Sequence, residues 1–334
     1  MPFAPAVAVA RALEEGRLRG PVARGLSRVW ARVAADAIVR PLPRPPGVAL
    51  VAVGGSTLGG SGKTPLAIAC ALQLARAGAR VAFVGHAYRA RPGRCRIVAT
   101  DDPLDEVGDE AIVAAHALAG AGVPVVVGPT RAAAVAHAAS LAHVLVVDGL
   151  LQSAPRASLS LLAVDERHPW GHAEAVPPCG DLRAPIGALL AAADRTVTVG
   201  DDSTDARTVS RGAWVGQELL TWDALAGLRL GLVVSLARPE RLLAFIARRG
   251  LTPAVVVRAR DHGRVSPSAL RAPPVDLWMA SPKCALHVRA ALGASRPGSP
   301  APPLAVLDHT VALGPRLCRL LRDIACLDPA ILGQ

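Results

Sequence analysis

One segment restricts the folds open to this chain more than any other: Gly54-Gly55-Ser56-Thr57-Leu58-Gly59-Gly60-Ser61-Gly62-Lys63-Thr64-Pro65. An apolar, strand-like run (48–53) leads into it and a helix-like run (66–77) leads out. That strand–loop–helix order is the context a phosphate-binding loop requires. Glycines let the backbone wrap close to an anion, and successive N–H groups with a helix N-terminus attract phosphate. In such a loop Lys63 reaches the β- and γ-phosphates of a nucleotide, and the Thr64 hydroxyl ligates Mg²⁺. Thr57, Gly59, Gly60, Ser61, Gly62, Lys63, Thr64 and Pro65 are therefore the expected nucleotide-binding residues. One departure stands out: Thr57 occupies the place where the common pattern has glycine.

Lysine usage supports the assignment of Lys63. Of 37 Lys and Arg residues, only Lys63 and Lys283 are lysines. A chain so biased toward arginine keeps lysine where a guanidinium fork does not replace a compact ammonium. For Lys283 composition alone gives no such argument.

The 334 residues suffice for two domains. Hydrophobic residues make up 51% of the chain, much of it alanine. The most apolar run, 111–128, is broken by Ala119-Gly120-Ala121-Gly122-Val123-Pro124, which divides it into a helix and a strand of an α/β core. Residues 2–10 are apolar, but charges follow and no cleavage site is evident, so no secretory signal is expected. The six cysteines form no C-x-x-C pair, which points away from a zinc site or a disulfide framework and toward a reducing compartment. The net charge of +11 suits an anionic partner. With only 3% aromatics there are few stacking platforms, and no nucleic-acid partner is expected.

Residues 1–46 form a basic N-terminal segment and linker. Between Pro21 and Pro41, Val22, Leu26, Val29, Trp30 and Val33 share one helical face, with Arg24, Arg28 and Arg32 opposite. Such a helix either lies in a membrane interface, each arginine adding roughly 1 kcal/mol near anionic lipid, or packs its apolar face on the domain. From residue 47 strands (48–53, 80–84, 123–127, 143–148, 159–164, 195–199) alternate with helices, the last of these at 183–193. The fold class is α/β: a P-loop NTPase-type, mostly parallel sheet with helices on both faces over 47–208. Polar residues 201–212 read as a hinge. A second, smaller α/β domain spans 209–310, with strands 228–234, 253–258, 275–279 and 304–307 and helices 239–249 and 283–292. Residues 311–334 are left as a C-terminal segment.

Asp148 ends the apolar strand Val144-Leu145-Val146-Val147, where an acid beside a P-loop strand holds Mg²⁺. Thr64 and Asp148 are the expected metal residues. Asp109, in Gly108-Asp109-Glu110, has the spacing of a helix cap. Asp101, Asp102, Asp105 and Glu106 read as a solvated acidic loop. His262, in Asp261-His262, follows a strand where ligands bind in α/β folds, yet alone it reads as a surface histidine.

Together these residues resemble the tetraacyldisaccharide 4′-kinases, over about residues 48–290. That family's loop reads V-G-N-x-T-x-G-G-T/S-G-K-T-P, matched here by Val53, Gly54, Thr57, Gly59, Gly60, Gly62, Lys63, Thr64 and Pro65. Gly85-His86-Ala87-Tyr88 resembles its S-R-G-Y and Gly108-Asp109-Glu110 its G-D-E. Pro129-Thr130-Arg131 resembles a short segment ending in Arg, and Asp148-Gly149 with Gln152 its D-D-G-x-Q. Pro178 to Pro185, Asp261-His262 and Ser281-Pro282-Lys283 resemble its P-A-G-P-L-R-E-P, D-H-H and T-E-K-D.

The resemblance implies an ATP- and Mg²⁺-dependent kinase acting on a lipid A precursor disaccharide at the cytoplasmic face of the bacterial inner membrane, as a monomer. It implies that Asp109, paired with His262 of the other domain, accepts the proton of the sugar 4′-hydroxyl while Lys63 carries phosphate charge. It makes Tyr88, Arg131 and Arg183 substrate contacts, and the N-terminal helix a membrane-docking element. The sequence departs from the family by one acid beside Asp148, by His86-Ala87 for R-G, by Gly263 for the second His of D-H-H, and by both acids of T-E-K-D. Other readings are an NTPase switch or metallochaperone, a weakened nucleotide-binding relic of the kinase, and a kinase of small soluble substrates.

Overall fold

A computed structural model of the chain describes residues 12–13, 15–87, 90–236, 239–259, 265–271, 274–293 and 302–327. Tyr88 and His262 fall outside them. The chain divides into two compact units, one of residues 8–208 with 311–334, the other centred on 209–310.

The first unit begins with helix α1 (Pro21–Ala37) and strand β1 (Val39–Pro41). Next come β2 (Ala49–Gly55), α2 (Lys63–Arg76), β3 (Val81–Val84), β4 (Arg96–Ile97), α3 (Leu104–Val107), α4 (Asp109–Leu118), β5 (Val125–Val127) and α5 (Arg131–Ala139). β6 (Val144–Asp148), β7 (Gln152–Ala154), β8 (Leu159–Asp165), α6 (Ile186–Ala192), β9 (Arg195–Gly200) and β10 (Ala206–Val209) complete the run. In the second unit lie β11 (Gly212–Val215), β12 (Glu218–Thr221), α7 (Trp222–Ala226), β13 (Leu230–Val234), α8 (Pro239–Ala247), β14 (Val255–Arg258), α9 (Pro267–Arg271), β15 (Leu277–Ala280), α10 (Pro282–Gly293) and β16 (Leu304–Leu307). The chain then returns to the first unit with β17 (Thr310–Leu313) and α11 (Pro315–Ala325).

The first unit's sheet has nine described strands in the order β17-β10-β9-β8-β2-β6-β3-β5-β4. β2 is parallel to both β6 and β8, with Val53 beside Asp148, and only the short β4 is shown antiparallel to its neighbour. Every residue of β2 and β6 is buried. This is why both read as unbroken apolar runs: a central parallel strand is covered on two faces. Leu50, Ala52, Val84, Leu145 and Val147 pack against Ala134, Val135 and Ala138 of α5 on one face. On the other face α2 buries Leu66, Cys70 and Leu74 and is flanked by α4 and α11. The second unit repeats the plan around the order β12-β11-β16-β15-β13-β14. α8 covers one face through Leu242, Phe245 and Ile246, and α10 the other through Cys284, Ala285 and Val288.

Four expectations change. The helix expected at 183–193 begins only at Ile186, with Pro185 as its N-cap in an extended conformation. Leu182 instead bridges Thr57, and the Arg183 N–H donates to the Ser56 carbonyl at 2.9 Å. The polar stretch 201–212 contains β10, which pairs in parallel with β9. The C-terminal segment adds strand β17 to the main sheet and helix α11. The acidic loop before Asp109 is not simply solvated, since Arg96 binds both Asp102 and Glu106, the latter at 2.6 Å.

α1 does not pack its bulky apolar face on the domain. It faces the domain through small residues: Ala31 and Ala34, with Ile38 just beyond, pack on the cluster of Leu162, Val176 and Leu182. The Ser27 hydroxyl donates to the Val176 carbonyl at 2.9 Å. Val22, Val29 and Val33 remain 77%, 61% and 60% exposed, and Leu26 and Trp30 are exposed with them. The apolar stripe therefore points away from the domain.

Candidate active site at the carboxyl ends of the central strands

The loop after β2 and the end of β6 lie side by side, where open α/β sheets bind their ligands. Gly62 caps α2 in a left-handed conformation (φ 79°), and a Cβ there would stand 2.8 Å from the Val199 side chain. Glycine is thus required at the point where the loop becomes helix. Thr57 is buried, and its hydroxyl donates to the Gly59 carbonyl at 2.8 Å. The departure from the usual glycine is accommodated as an internal brace of the loop. The segment ahead of α6 stitches the loop from outside: Leu58 N–H donates to the Asp181 carbonyl (2.9 Å), the Ser56 hydroxyl to that of Pro169 (2.7 Å), and Arg183 Nε to that of Thr57 (3.2 Å).

Thr64, in the first turn of α2, donates its hydroxyl proton to Asp148 Oδ2 at 2.7 Å. Asp148 is 1% exposed, and its Oδ1 has no hydrogen-bond partner among the described residues. Burial drives its pKa above the usual carboxylate range, and nearby Glu110 adds to this. Lys63, the Thr64 bond and Arg131 work against the rise. A buried carboxylate oxygen without a partner, beside a P-loop hydroxyl, fits a hard divalent cation with oxygen ligands. Thr64 and Asp148 are therefore suited to hold Mg²⁺.

Lys63 Nζ lies 3.9 Å from Glu110 Oε1. Glu110 and Asp109 are the first residues of α4, positioned by Gly108 at φ 84°. Asp109 is the first helical residue rather than the cap and is only 4% exposed. Arg131, first residue of α5, donates from Nη1 to the Asp148 carbonyl at 3.0 Å. Its pKa is lowered chiefly by burial. His86, just past β3, is held down to about 4 by burial and by the charges of Arg131, Lys63 and Arg183, against an opposing pull from Glu110.

The structure thus gathers Lys63, Thr64, Asp148, Arg131 and Arg183 around one loop, with Asp109 beside Glu110. Glu110 and His86 belong to the same cluster and were missed as site residues. Both sit inside segments already singled out, Gly108-Asp109-Glu110 and Gly85-His86-Ala87-Tyr88. Asp109's expected partner His262 and the expected contact Tyr88 lie outside the described residues.

A family model described as LpxK, tetraacyldisaccharide-1-P 4′-kinase, matches residues 14–276. A tetraacyldisaccharide 4′-kinase of Methylobacterium radiotolerans is 35% identical over 72% of this chain and 75% of its own length. One from Methylobacterium nodulans is 30% identical over 86% of this chain and 92% of its own. Among solved structures, LpxK from Aquifex aeolicus in complex with ATP superposes with a TM-score of 0.66 at 18% identity, covering 90% of this chain and 97% of that one.

Proposed function

Since the chain belongs to the tetraacyldisaccharide-1-P 4′-kinase family, we infer that it transfers the γ-phosphate of ATP to the 4′-hydroxyl of a tetraacyldisaccharide 1-phosphate in lipid A biosynthesis. The observation that carries the reading is the Thr64–Asp148 bond next to Lys63, which supports a catalytic phosphate loop rather than a glycine-rich turn.

The loop from Gly59 to Thr64 would seat the nucleotide phosphates on backbone N–H groups at the start of α2. Lys63 would hold the γ-phosphate oxygens, with Glu110 3.9 Å away keeping the ammonium in place. Mg²⁺, held by Thr64 and Asp148, would neutralise phosphate charge. Asp109, nearly sealed from solvent, is proposed to accept the acceptor hydroxyl proton. His262 is proposed to take part in that proton transfer. Arg131, Arg183 and Tyr88 are assigned to acceptor contacts.

We place the enzyme on the inner-membrane surface at its cytoplasmic side. Among the described residues no helix is long and apolar enough to cross a membrane. The bulky face of α1 is exposed and the same helix carries Arg24, Arg28 and Arg32, a combination that suits an anionic lipid surface.

The test is transfer of labelled phosphate from ATP to detergent-dispersed tetraacyldisaccharide 1-phosphate by wild type, Lys63→Ala and Asp109→Ala. Labelled bisphosphate from wild type, nearly lost in both variants, is the expected result. Rapid ATP hydrolysis without transfer would favour a nucleotide switch, and nucleotide binding without turnover a relic.

A further inference from the structure

We propose that the pocket at the ends of β3 and β5 seats the phosphate that the acceptor itself carries, held between Arg91 and Arg131; the proposal rests on the kinase reading above. The pocket encloses about 520 Å³ and is lined by His86, Ala87, Arg91, Pro129, Thr130 and Arg131 among others. That volume suits a small polar ligand. No residue from Gly54 to Pro65 lines it, so it is separate from the cradle of the nucleotide phosphates.

Most of the cationic donors in the pocket are unused among the described residues, although the Asp148 carboxylate acts on Arg131 through space. A guanidinium carries about five N–H donors. Among the described residues, the side chain of Arg131 makes a single hydrogen bond, to the neutral carbonyl of Asp148. Burial disfavours its charged form, which is the situation that an incoming anion relieves. Arg91 uses its backbone N–H on the Asp105 carbonyl at 3.3 Å, and its guanidinium makes no ion pair among the described residues. Of the acids in the loop that carries Asp105, Asp102 and Glu106 are both engaged by Arg96. His86 is neutral at pH 7, so the positive charge belongs to the two arginines while the imidazole adds a hydrogen-bonding edge. α5 begins at the same place, with the Thr130 hydroxyl accepting from the Ala133 N–H at 3.1 Å.

Two arginines lining one cavity offer the bidentate donors that a phosphate monoester takes. The family's acceptor carries a phosphate at position 1, by its own description. The nucleotide's phosphates have the loop at the head of α2. The acceptor's phosphate therefore falls to Arg91 and Arg131, and Arg91 becomes a specificity-determining residue.

The experiment compares wild type, Arg91→Ala and Arg91→Lys on tetraacyldisaccharide with and without its 1-phosphate. Wild type is expected to prefer the phosphorylated acceptor by about 10- to 100-fold in kcat/KM, the range of a charged hydrogen bond. Arg91→Ala should collapse that ratio through the acceptor KM, with the ATP KM held, and Arg91→Lys should restore part of it. A ratio unchanged in Arg91→Ala, or a loss expressed in the ATP KM, would overturn the assignment. A second arm needs no turnover: glucosamine 1-phosphate is titrated into the full chain saturated with ADP and followed by ligand-observed NMR. Binding that is weakened in Arg91→Ala and absent for glucosamine supports the pocket. Displacement by further ADP places the sugar phosphate in the nucleotide loop and overturns it. If wild type phosphorylates neither acceptor, the kinase reading falls, and the titration alone decides the pocket.

Discussion

The Thr64 hydroxyl and Asp148 Oδ2 meet at 2.7 Å although 84 residues separate them in sequence. The contact ties the start of α2 to the end of β6 and leaves Asp148 Oδ1 buried without a partner. A carboxylate in this position is costly while no cation is bound. Asp148→Asn should therefore raise the Tm of the metal-free protein, by about 2–4 °C per kcal/mol recovered. It should also weaken the Mg²⁺ dependence of turnover by at least about 10- to 100-fold. Thermal melts with and without Mg²⁺, beside kcat against Mg²⁺ concentration, read both effects. A variant less stable than wild type in chelator would show that the carboxylate stabilises the apo fold.

The same carboxylate predicts the sign of a pH effect. Its folded pKa is raised, so its contribution to stability is most favourable below the ordinary carboxylate range and declines as pH rises through the folded value. Metal-free wild type should lose stability relative to Asp148→Asn as pH rises from about 4. Saturating Mg²⁺ should flatten that difference. Parallel urea titrations across pH measure it.

His86 carries the opposite sign. Its folded pKa is lowered to about 4. A histidine depressed in this way supports the fold above its unfolded value, near 6.5, and the support is lost as pH falls toward 4. His86→Gln should therefore show a shallower loss of stability than wild type between about pH 6.5 and 4. An NMR titration of the imidazole checks the cause directly, and a midpoint near 6.5 would remove it.

The sequence made the central architecture readable because parallel strands buried on two faces leave unbroken apolar runs, as Val144 to Val147 does ahead of Asp148. The loop was readable because its glycines have a mechanical reason. β10 was not, since Ala206-Arg207-Thr208-Val209 has no apolar run and becomes a strand through pairing with β9 and β17. The return of residues 311–334 to the first unit was equally hidden. Leu317, Leu321 and Ile324 have helical spacing, but spacing does not name the surface they bury. In the site, Lys63, Thr64 and Asp148 followed from local pattern, whereas His86 acquires its character from Arg131, Lys63 and Arg183, which only the fold brings near it. For Asp109 pattern alone gave a helix cap, while the structure makes it a buried first-turn residue.

The outward stripe of α1 separates membrane binding from folding. Leu26 and Trp30 are 57% and 47% exposed, so Leu26→Glu with Trp30→Glu should leave the melting temperature close to wild type, within about 0.5 kcal/mol per site. Cosedimentation with vesicles containing anionic lipid should be largely lost, and added salt should weaken wild-type binding through its arginines. Activity on lipid in vesicles should fall more than activity on detergent-dispersed acceptor. Undiminished vesicle binding by the double variant would remove the stripe from membrane docking.

Gly62 joins loop to helix with no room for a side chain. At φ 79° an L-residue is strained by roughly 1–2 kcal/mol, and a Cβ would stand 2.8 Å from Val199 Cγ1. Relief requires either the helix start or β9 to move, and the helix start carries Lys63 and Thr64. Gly62→Ala should therefore lower stability by about 1–3 kcal/mol and weaken nucleotide binding by more than the stability loss explains. Val199→Ala, which removes the γ-methyl groups but leaves Val199 Cβ 2.9 Å from the added Cβ, should recover part of the nucleotide affinity in the double variant while leaving the backbone strain. ATP titrations of the single and double variants, normalised to folded protein, test this. Additive losses, with no recovery in the pair, would show that Val199 does not hold the loop in shape.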